Sequence, residues 1–319
     1  MLAAYAARFS PDSPVDGLEV GERPEPEARE NWSVVEVRAA SLNHHDLWSL
    51  RGVGLRAEQL PMVLGTDAAG VAPDGTEVVV HAVIGADGHG VGPREPRSLL
   101  SERYDGTLAQ YVAVPTANLL PKPSELTFAE ASCMPTAYLT AYRMLFSVAG
   151  LTPGQSVLVQ GAGGGVATAA IVLGAAAGLE VTATSRSTAK RERALALGAA
   201  HAVETGARLP ARVDAVLESV GQATWAHSVR SVKPGGTIAV CGATSGDAPP
   251  AELTRIFFQE IAVRGVTMGS RDDLAALLAF CARTGLRPVI DSQYPLTDVA
   301  TALARLDAGA QTGKLVIAP

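Results

Sequence analysis

The sequence predicts an α/β protein of two domains, one built from short strands and one from a doubly wound parallel sheet. Up to about residue 137, short alternating segments are separated by Gly and Pro, which is typical of a barrel-like β domain. From there to residue 268, apolar strands alternate with helical segments, which implies parallel pairing with right-handed crossovers. A length of 319 residues suits about two domains.

In the first domain, segments 33–40, 76–82 and 108–115 alternate apolar and polar residues, as half-buried strands do. The C-terminal zone contains two amphipathic helices, 272–284 and 296–308, and a closing strand, 314–318. We expect this zone to return to the first domain and complete it. The predicted domains are therefore 1–137, completed by 269–319, and 138–268.

The second domain contains six predicted strands, at 155–160, 180–185, 202–203, 215–218, 237–241 and 261–268. An Ala-rich helix follows the first strand, and helices 188–197 and 225–232 follow the second and fourth. Six parallel strands connected in this way form a Rossmann-type sheet.

Composition excludes several classes of protein. The formal net charge is −6, so a nucleic-acid partner is not expected, because such partners leave a basic footprint. No stretch of about 20 apolar residues lacks helix breakers, so we expect no membrane span. The N-terminus turns polar early and does not resemble a signal peptide, so we expect a cytoplasmic protein. The three cysteines are too sparse for a disulfide framework or a zinc cluster.

A glycine-rich turn between the first strand and the Ala-rich helix is the strongest local signal. Small residues let the backbone approach a pyrophosphate, and the following helix N-terminus offers free N–H groups. The pattern therefore predicts dinucleotide binding, and the alternative is a glycine turn without a ligand. The turn consists of Gly161, Ala162, Gly163, Gly164, Gly165 and Val166.

The end of the second strand indicates which nicotinamide cofactor binds. An acidic residue there would accept hydrogen bonds from the adenosine ribose and repel a 2′-phosphate. The chain instead has Ser185, Arg186 and Lys190, and a hydroxyl with two cations suits a phosphate. We therefore expect NADPH as the cofactor; the alternative is that both cations are solvated.

With these pieces in place, the sequence resembles the medium-chain dehydrogenase/reductase superfamily over almost its full length, and most closely its zinc-free NADPH:quinone oxidoreductase-like branch. The resemblance implies a GroES-like β-barrel catalytic domain and a Rossmann domain, with the active site in the cleft between them. Besides the glycine turn, it rests on segments 41–48, 51–52, 64–70, 106–111, 135–142, 218–221 and 313–316.

Zinc members of this superfamily hold a catalytic metal with cysteine and histidine. The corresponding positions here are Asn43, Thr66 and Thr136, with Asp67 at a neighbouring glutamate position. A zinc site needs thiolate and imidazole ligands, so no metal is expected. Without a Lewis acid, hydride transfer to an acceptor whose own carbonyl spreads the charge is favoured.

The resemblance therefore implies NADPH-dependent reduction of a quinone or an α,β-unsaturated carbonyl. One alternative is an enoyl-thioester or enone reductase that tailors a biosynthetic intermediate, with segment 84–104 as a substrate-specific loop. A second alternative is an NADPH-binding structural or regulatory protein with little turnover.

Five residues are candidates for catalysis by position in the resemblance. The Asn43 amide could donate to a developing oxyanion, or cap a turn. His45 stands at a proton-relay position and could be a general acid, or be structural. Trp48 is either a pocket wall or a core residue. Thr66 occupies a former metal-ligand position, and Thr136 is expected to line the floor of the nicotinamide site.

The resemblance also implies further cofactor contacts and an assembly. Asp46 is expected to bond backbone in its turn. Strand 261–268 matches an edge strand through which family members pair, and an uncovered apolar edge favours association, so we expect a homodimer. The further expected cofactor contacts are His44, Thr140, Ser219, Gly242, Ala243, Met268, Gly269, Ser270 and Lys314.

Overall fold

The computed structural model describes residues 1–85 and 97–319, so most of the predicted loop 84–104 lies outside the described residues. The chain divides into two compact units. The first comprises Met1–Ala137 and Gly269–Pro319, and the second comprises Tyr138–Met268. In the part of the chain that is described, no helix combines the length and apolar character needed to cross a bilayer.

The N-terminal part of the first unit consists of short strands and two short helices. Helix α1 (His44–Leu50) begins at a capping box formed by Asn43 and Asp46, and α2 (Phe128–Ser132) begins at one formed by Thr127 and Glu130. The strands are β1 (Leu2–Ala6), β2 (Leu18–Glu22), β3 (Trp32–Ser41), β4 (Met62–Val63), β5 (Asp67–Val71), β6 (Glu77–Val80), β7 (Val83–Gly85), β8 (Arg97–Leu99), β9 (Tyr111–Pro115) and β10 (Leu119–Pro121).

The second unit is a parallel six-stranded sheet with order β13-β12-β11-β14-β15-β16. This is the strand order of a Rossmann fold, as the sequence predicts. After a π-helix (Met134–Tyr138), α3 (Leu139–Tyr142) and a second π-helix (Arg143–Val148), its elements are β11 (Ser156–Val159), α4 (Gly165–Ala176), β12 (Glu180–Thr184), α5 (Thr188–Ala196), β13 (His201–Val203), β14 (Val213–Glu218), α6 (Trp225–Ser231), β15 (Val232–Val240), α7 (Leu253–Phe258) and β16 (Ala262–Gly265).

The chain then returns to the first unit with α8 (Arg271–Thr284), β17 (Ile290–Pro295), α9 (Val299–Asp307) and β18 (Lys314–Ala318). Strand β18 pairs antiparallel with β3, so that Val316 lies opposite Ser41. Among the described residues, this gives a sheet with the order β10-β6-β5-β3-β18-β17, with β9 also paired to β3. The C-terminal zone therefore completes the GroES-like barrel.

Several boundaries differ from the sequence prediction. Strand β15 begins at Val232 rather than at residue 237, and its register against β14 shifts between the pairs Val213–Val232 and Ala215–Thr237. The Pro-Gly-Gly segment that lies between the predicted helix 225–232 and the predicted strand 237–241 is thus a bulge inside β15, which accommodates a proline that cannot donate to the ladder. The predicted sixth strand, 261–268, shortens to Ala262–Gly265. The β1–β2 hairpin and β17 were not predicted.

Apolar packing holds the sheet of the second unit against its helices. Trp225 and Val229 from α6 pack on Leu158, Val216 and Ile238, which come from three adjacent strands. Contiguous apolar runs in these strands are what a sheet covered on both faces requires. This core fixes the carboxyl ends of the strands, from which the candidate cofactor-binding loops extend.

Candidate active site and cofactor-binding loops

The glycine turn leaves β11 and leads directly into α4. Gly161 has a φ of +86°, a conformation that favours glycine. Gly164 is the N-cap of α4 and makes no side-chain cap, and a Cβ added to it would meet no atom within 4 Å. The backbone at the start of α4 can therefore be approached closely beside Gly164. This cradle fits a pyrophosphate, because helix N-termini bind anions through their free N–H groups.

The cationic side chains after β12 lie beside this turn. A Cβ added to Gly163 would lie 2.7 Å from Lys190 Nζ, so the Lys190 side chain lies over the turn. Arg186 is exposed, and Ser185 is half-buried. Arg191 was not predicted; its guanidinium donates to the Ser185 carbonyl at 2.7 Å and to Thr188 Oγ1 at 3.0 Å. Of the predicted phosphate-binding residues, the structure thus places Lys190 at the glycine turn, while Arg186 extends into solvent after β12.

Two further predicted cofactor loops meet at the ends of β14 and β15. Ser219 directly follows β14, and its carbonyl oxygen accepts from Thr244 N at 3.5 Å. A Cβ on Gly242 would lie 3.1 Å from the same oxygen, so Gly242 and Ala243 pass close to Ser219. Ligands in this fold bind at the carboxyl ends of the strands, and both loops lie there.

The remaining predicted cofactor residues have structural contacts of their own. Thr140 lies buried in α3, and Met268 is buried with a φ of +50°. The Gly269 carbonyl oxygen lies 2.9 Å from His81 Nε2. Ser270 caps α8, because its Oγ accepts from Asp273 N at 3.0 Å. The Ser270 hydroxyl oxygen is thus committed to the helix.

Lys314 lies at the centre of a buried polar cluster in the first unit. Its ammonium donates to the Leu42 carbonyl at 2.6 Å, to Asn43 Oδ1 at 2.6 Å and to Asp67 Oδ2 at 3.1 Å. The residue is only 2% exposed, and Asp67 is fully buried. An ammonium has three hydrogens, and all three are used here. The expectation that Lys314 reaches the cofactor therefore does not match its position, which instead orients Asn43.

The Asn43 amide continues this cluster outward. Its Nδ2 donates to Asp67 Oδ2 at 2.8 Å and to Thr66 Oγ1 at 3.2 Å, so both amide hydrogens are engaged. Thr66 Oγ1 in turn lies 3.0 Å from Thr136 Oγ1, and Thr136 is half-buried. The hydrogen-bonded chain Lys314–Asn43–Thr66–Thr136 therefore ends at Thr136. Both hydrogens of the predicted Asn43 amide are used within the cluster, and the outermost polar group of the chain is the Thr136 hydroxyl.

Asp46 fixes the turn that carries Asn43, as the sequence predicts. Its carboxylate accepts from Asn43 N at 2.8 Å and from Gly65 N at 3.0 Å. Burial raises the pKa of Asp46 above its ordinary value, although His45, the Asn43 N–H and Lys314 oppose this. The Asp46 carboxylate thus joins Asn43, at the start of α1, to Gly65, just before β5. This contact brings Asn43 next to Thr66.

His45 is held between two polar side chains. Its Nε2 lies 3.1 Å from Glu102 Oε1 and its Nδ1 lies 3.3 Å from Ser101 Oγ. Burial lowers the pKa of His45, but the Glu102 hydrogen bond and the nearby carboxylates outweigh burial and raise it above 6.5. This arrangement favours the protonated ring near neutral pH, which is the form that a general acid needs.

Trp48 lies on the surface of the first unit, which excludes the core alternative. It is 37% exposed, and the Arg51 guanidinium carbon lies 5.4 Å from its ring centre. Arg51 is held there by Asp307 at 2.6 Å. His44 is also exposed, and the pKa of His44 is lowered by desolvation and by the cations Lys314 and Arg51. A neutral His44 would bind a pyrophosphate weakly.

Comparison with known proteins identifies the family. Family models match residues 29–124 as an alcohol dehydrogenase GroES-like domain and residues 165–283 as a zinc-binding dehydrogenase. The 2-methylene-furan-3-one reductase of Solanum lycopersicum is 33% identical, across 92% of this chain and 73% of its own. The quinone oxidoreductase of Homo sapiens is 27% identical, across 92% and 90%. This chain belongs to the medium-chain dehydrogenase/reductase superfamily, in its quinone-oxidoreductase-like branch.

A solved structure of an NAD-dependent alcohol dehydrogenase has the same fold. It superposes on this medium-chain dehydrogenase/reductase with a TM-score of 0.90 over the full length of both chains, at 32% identity. The protein is accordingly an oxidoreductase with a GroES-like domain and a Rossmann domain, and its family uses a nicotinamide cofactor.

The residues at the family's zinc-ligand positions do not fit zinc. Asn43, Thr66 and Thr136 offer an amide and two hydroxyls, whereas a zinc site uses thiolate, imidazole or carboxylate. Asn43 Oδ1 and Asp67 Oδ2 already accept from the Lys314 ammonium, whose positive charge would repel a second cation. Across residues 1–85 and 97–319, no group of three or more His, Cys, Asp or Glu side chains could hold a metal.

Sequence reasoning missed Glu102 and Ser101, which flank His45. It named Asp67 only as the residue at the family's glutamate position, whereas in the structure Asp67 joins Lys314 to Asn43. Glu102 and Ser101 lie 57 and 56 residues away from His45 in the chain, and no spacing pattern joins them.

Proposed function

We propose that the protein is an NADPH-dependent, zinc-independent reductase that acts on an α,β-unsaturated carbonyl compound or a quinone. The observation that carries the proposal is the donor chain that runs from Lys314 through Asn43 and Thr66 to Thr136. Lys314 has hydrogens to donate and no lone pair to accept, so it fixes the orientation of the Asn43 amide and with it the donation from Asn43 to Thr66. We propose that Thr66 in turn donates to Thr136, which leaves the Thr136 hydrogen for a substrate oxygen.

Such a donor suits a reaction in which negative charge develops on oxygen. A nicotinamide cofactor held at the glycine turn would supply a hydride to the acceptor, and the electrons displaced from the acceptor's double bond would accumulate on its conjugated carbonyl oxygen. Thr136, held by Thr66, donates to that oxygen without having to reorient, which is how preorganised donors stabilise such charge. The reduced product then needs one proton.

We propose His45 as the source of that proton, released as its 3.3 Å hydrogen bond to Ser101 Oγ gives way to the substrate. Although burial lowers the pKa of His45, the Glu102 hydrogen bond and the nearby carboxylates outweigh burial and raise it, which favours the protonated ring, and Glu102 also holds Nε2 in place. Ser101 adopts a φ of +62° in this position, a conformation that is uncommon outside glycine and that often marks functional sites. Removing His45 should therefore lower turnover by about 10²-fold.

The proposed preference for NADPH rests on the cations after β12. The Lys190 side chain lies beside the glycine turn, Ser185 and Arg186 follow the end of β12, and Arg191 donates to the Ser185 carbonyl. A dianionic 2′-phosphate pairs with such a group, whereas the ribose of NADH does not use it. The related NAD-dependent alcohol dehydrogenase supports NADH as the rival cofactor, and direct titration of both distinguishes them.

Among acceptors, an enone is the first substrate class to test. The Solanum relative is named for reducing a 2-methylene-furan-3-one, whose exocyclic double bond is conjugated to a ketone. The assay follows NADPH oxidation with a medium-chain enone, 1,4-naphthoquinone and a saturated aldehyde. Turnover of the enone or of 1,4-naphthoquinone that a chelator does not change supports the proposal. Turnover with the aldehyde alone would contradict it, and quenching of NADPH fluorescence without any turnover would favour a binding protein.

The role of Thr136 has its own test. Replacing Thr136 with Val removes the outward hydroxyl at nearly constant volume, whereas Ser retains it. We expect Thr136→Val to lower kcat about 10- to 100-fold, which lies below the loss seen for a full oxyanion-hole donor. Thr136→Ser should stay within about threefold. Equal kcat values for the two variants would remove Thr136 from the mechanism.

We also propose that two copies pair through β16. This strand forms one edge of the sheet, and Val263 on it is exposed. The preceding helix α7 exposes Phe257 and Phe258, at 62% and 76%. An exposed strand edge with adjacent aromatic side chains is a surface that soluble proteins normally cover, and a second copy covers it symmetrically.

A further inference from the structure

A chain of buried side-chain hydrogen bonds crosses the second unit beneath its cofactor-binding loops. Gly161 N donates to Thr184 Oγ1 at 3.1 Å, and Thr184 Oγ1 donates to Gln160 Oε1 at 2.9 Å. Gln160 Nε2 donates to Ser228 Oγ at 2.9 Å, and Ser228 Oγ donates to Glu218 Oε2 at 2.6 Å. All four side chains are fully buried. The chain thus connects the glycine turn to the end of β14.

The Glu218 carboxylate ends this chain by holding the next turn. Its Oε1 accepts from Val220 N at 2.8 Å and from Gly221 N at 3.0 Å. Thr224 Oγ1 donates to the same carboxylate at 2.9 Å. Every contact to Glu218 comes from a donor, so the carboxylate acts only as an acceptor. One charged group therefore fixes the 219–221 turn and anchors the chain from Gly161.

His227 fixes the orientation of the Gln160 amide. Its Nδ1 lies 3.0 Å from Gln160 Nε2 and must accept the second amide hydrogen, because that nitrogen is only a donor. Its Nε2 then carries the hydrogen and donates to the Ala207 carbonyl at 2.9 Å. Burial lowers the pKa of His227, in agreement with a neutral ring. With the Gln160 amide oriented in this way, the donor and the acceptor of each hydrogen bond in the chain are fixed.

We infer that Thr184, Gln160 and Glu218 are positioning residues that couple the glycine turn to the 219–221 turn, so that binding of the cofactor pyrophosphate depends on this chain. The inference rests on the proposed NADPH binding at the glycine turn. Gly161 donates its N–H to the buried Thr184 hydroxyl and has a φ of +86°, so this contact fixes the start of the turn that leads into α4. The N–H groups at the start of α4 are the ones that we expect the pyrophosphate to use.

Replacing Thr184 with Val would fill the same space but would remove the hydrogen bonds that join Gly161 to Gln160. Thr182 provides a matched control, because it lies on β12 two residues before Thr184 and is also buried. Thr184→Val and Thr182→Val change the same atoms on the same strand, and only the first breaks the chain. Thr184→Ser retains the hydroxyl and serves as the conservative rescue.

The experiment measures binding of NADPH and of two fragments by titration. 2′-Phospho-ADP-ribose contains the pyrophosphate, whereas adenosine 2′-monophosphate does not. We expect Thr184→Val to weaken NADPH and 2′-phospho-ADP-ribose about tenfold, the value of one hydrogen bond. Binding of adenosine 2′-monophosphate should change less than about twofold. Thr182→Val and Thr184→Ser should bind all three ligands within about twofold of the unmutated protein.

Equal weakening of both fragments would overturn the inference, because it would indicate a general disturbance of the unit. The inference would also be overturned if Thr184→Val and Thr182→Val bound NADPH and the two fragments with the same affinities. If Thr184→Val does not fold, Ser228→Ala breaks the chain at another link and must show the same fragment selectivity. If the unmutated protein does not bind NADPH, the proposed function fails; if it binds and the variants do not differ, only the positioning inference fails.

Discussion

Replacing Lys314 with Met tests the buried cluster most directly. The substitution keeps the length of the side chain but leaves the Asp67 carboxylate without its cation. Asp67 is fully buried and its Oδ2 keeps bonds from Ser41 and Asn43, both at 2.8 Å. Breaking a buried ion pair by removing one partner costs about 3–5 kcal/mol. We therefore expect the free energy of unfolding to fall by that amount.

The same substitution should also slow turnover, by an amount that follows from the geometry. Three hydrogen bonds of 2.8, 3.2 and 3.0 Å connect Asp67 Oδ2 through Asn43 and Thr66 to Thr136 Oγ1. The unpaired carboxylate would thus lie at most about 9 Å from the outermost hydroxyl. At an effective dielectric constant of about 20, it would repel charge developing there by about 1.8 kcal/mol, or about 20-fold in rate.

The assay combines urea unfolding with kcat for the reduction of an enone. Lys122→Met is the control, since Lys122 donates to the Leu126 carbonyl and pairs with the half-exposed Glu77; it should cost stability and leave kcat unchanged. Lys314→Met combined with Asp67→Asn removes both charges and should recover most of the stability and rate. A kcat for Lys314→Met within twofold of the unmutated value would refute the reasoning.

Three further predictions follow from the site. Because the protonated form of His45 is the active one, kcat should fall as the pH rises through its raised pKa, and Glu102→Gln should move that fall to lower pH; a pH profile that ignores Glu102→Gln would contradict this. NADPH should bind at least about tenfold tighter than NADH, and Arg186→Ala with Lys190→Ala should remove most of the difference in titrations; equal affinities before mutation would end the phosphate assignment. Val263→Asp should shift the proposed dimer toward monomer in light scattering, because a buried carboxylate opposes pairing; a monomeric unmutated protein would refute the proposed interface.

Local patterns were sufficient to predict much of the Rossmann unit. The predicted strand 180–185 is observed as Glu180–Thr184, and the predicted helix 188–197 as Thr188–Ala196. Both are short segments whose residues contact their immediate neighbours, so propensity and periodicity carry the information. Strand β15 shows the limit, since its bulge depends on pairing with β14 rather than on its own Pro-Gly-Gly residues.

The polar cluster of the first unit could not be predicted in the same way. Lys314 is separated by 271 residues from Asn43 and by 247 from Asp67, and no sequence spacing indicates such a contact. A lysine in a closing strand normally faces solvent, whereas this one is buried. The pairing of β18 with β3 brings it there, so the cluster follows from sheet topology and not from any local pattern.

The direction of the donor chain bears on which reaction the protein performs. Alcohol oxidation requires a group that takes a proton from the substrate hydroxyl, as the metal-bound alkoxide of zinc dehydrogenases illustrates. Lys314 can only donate and Asn43 donates to Thr66, and we propose that Thr66 continues this direction by donating to Thr136. Thr136 would then present its hydrogen to a substrate oxygen that gains negative charge, as in the proposed reduction of a conjugated carbonyl, and none of these four groups is a base that could take a proton from an alcohol. A buried lysine is compatible with this role. Asp67 neutralises its charge, and the ammonium still acts only as a donor to Asn43.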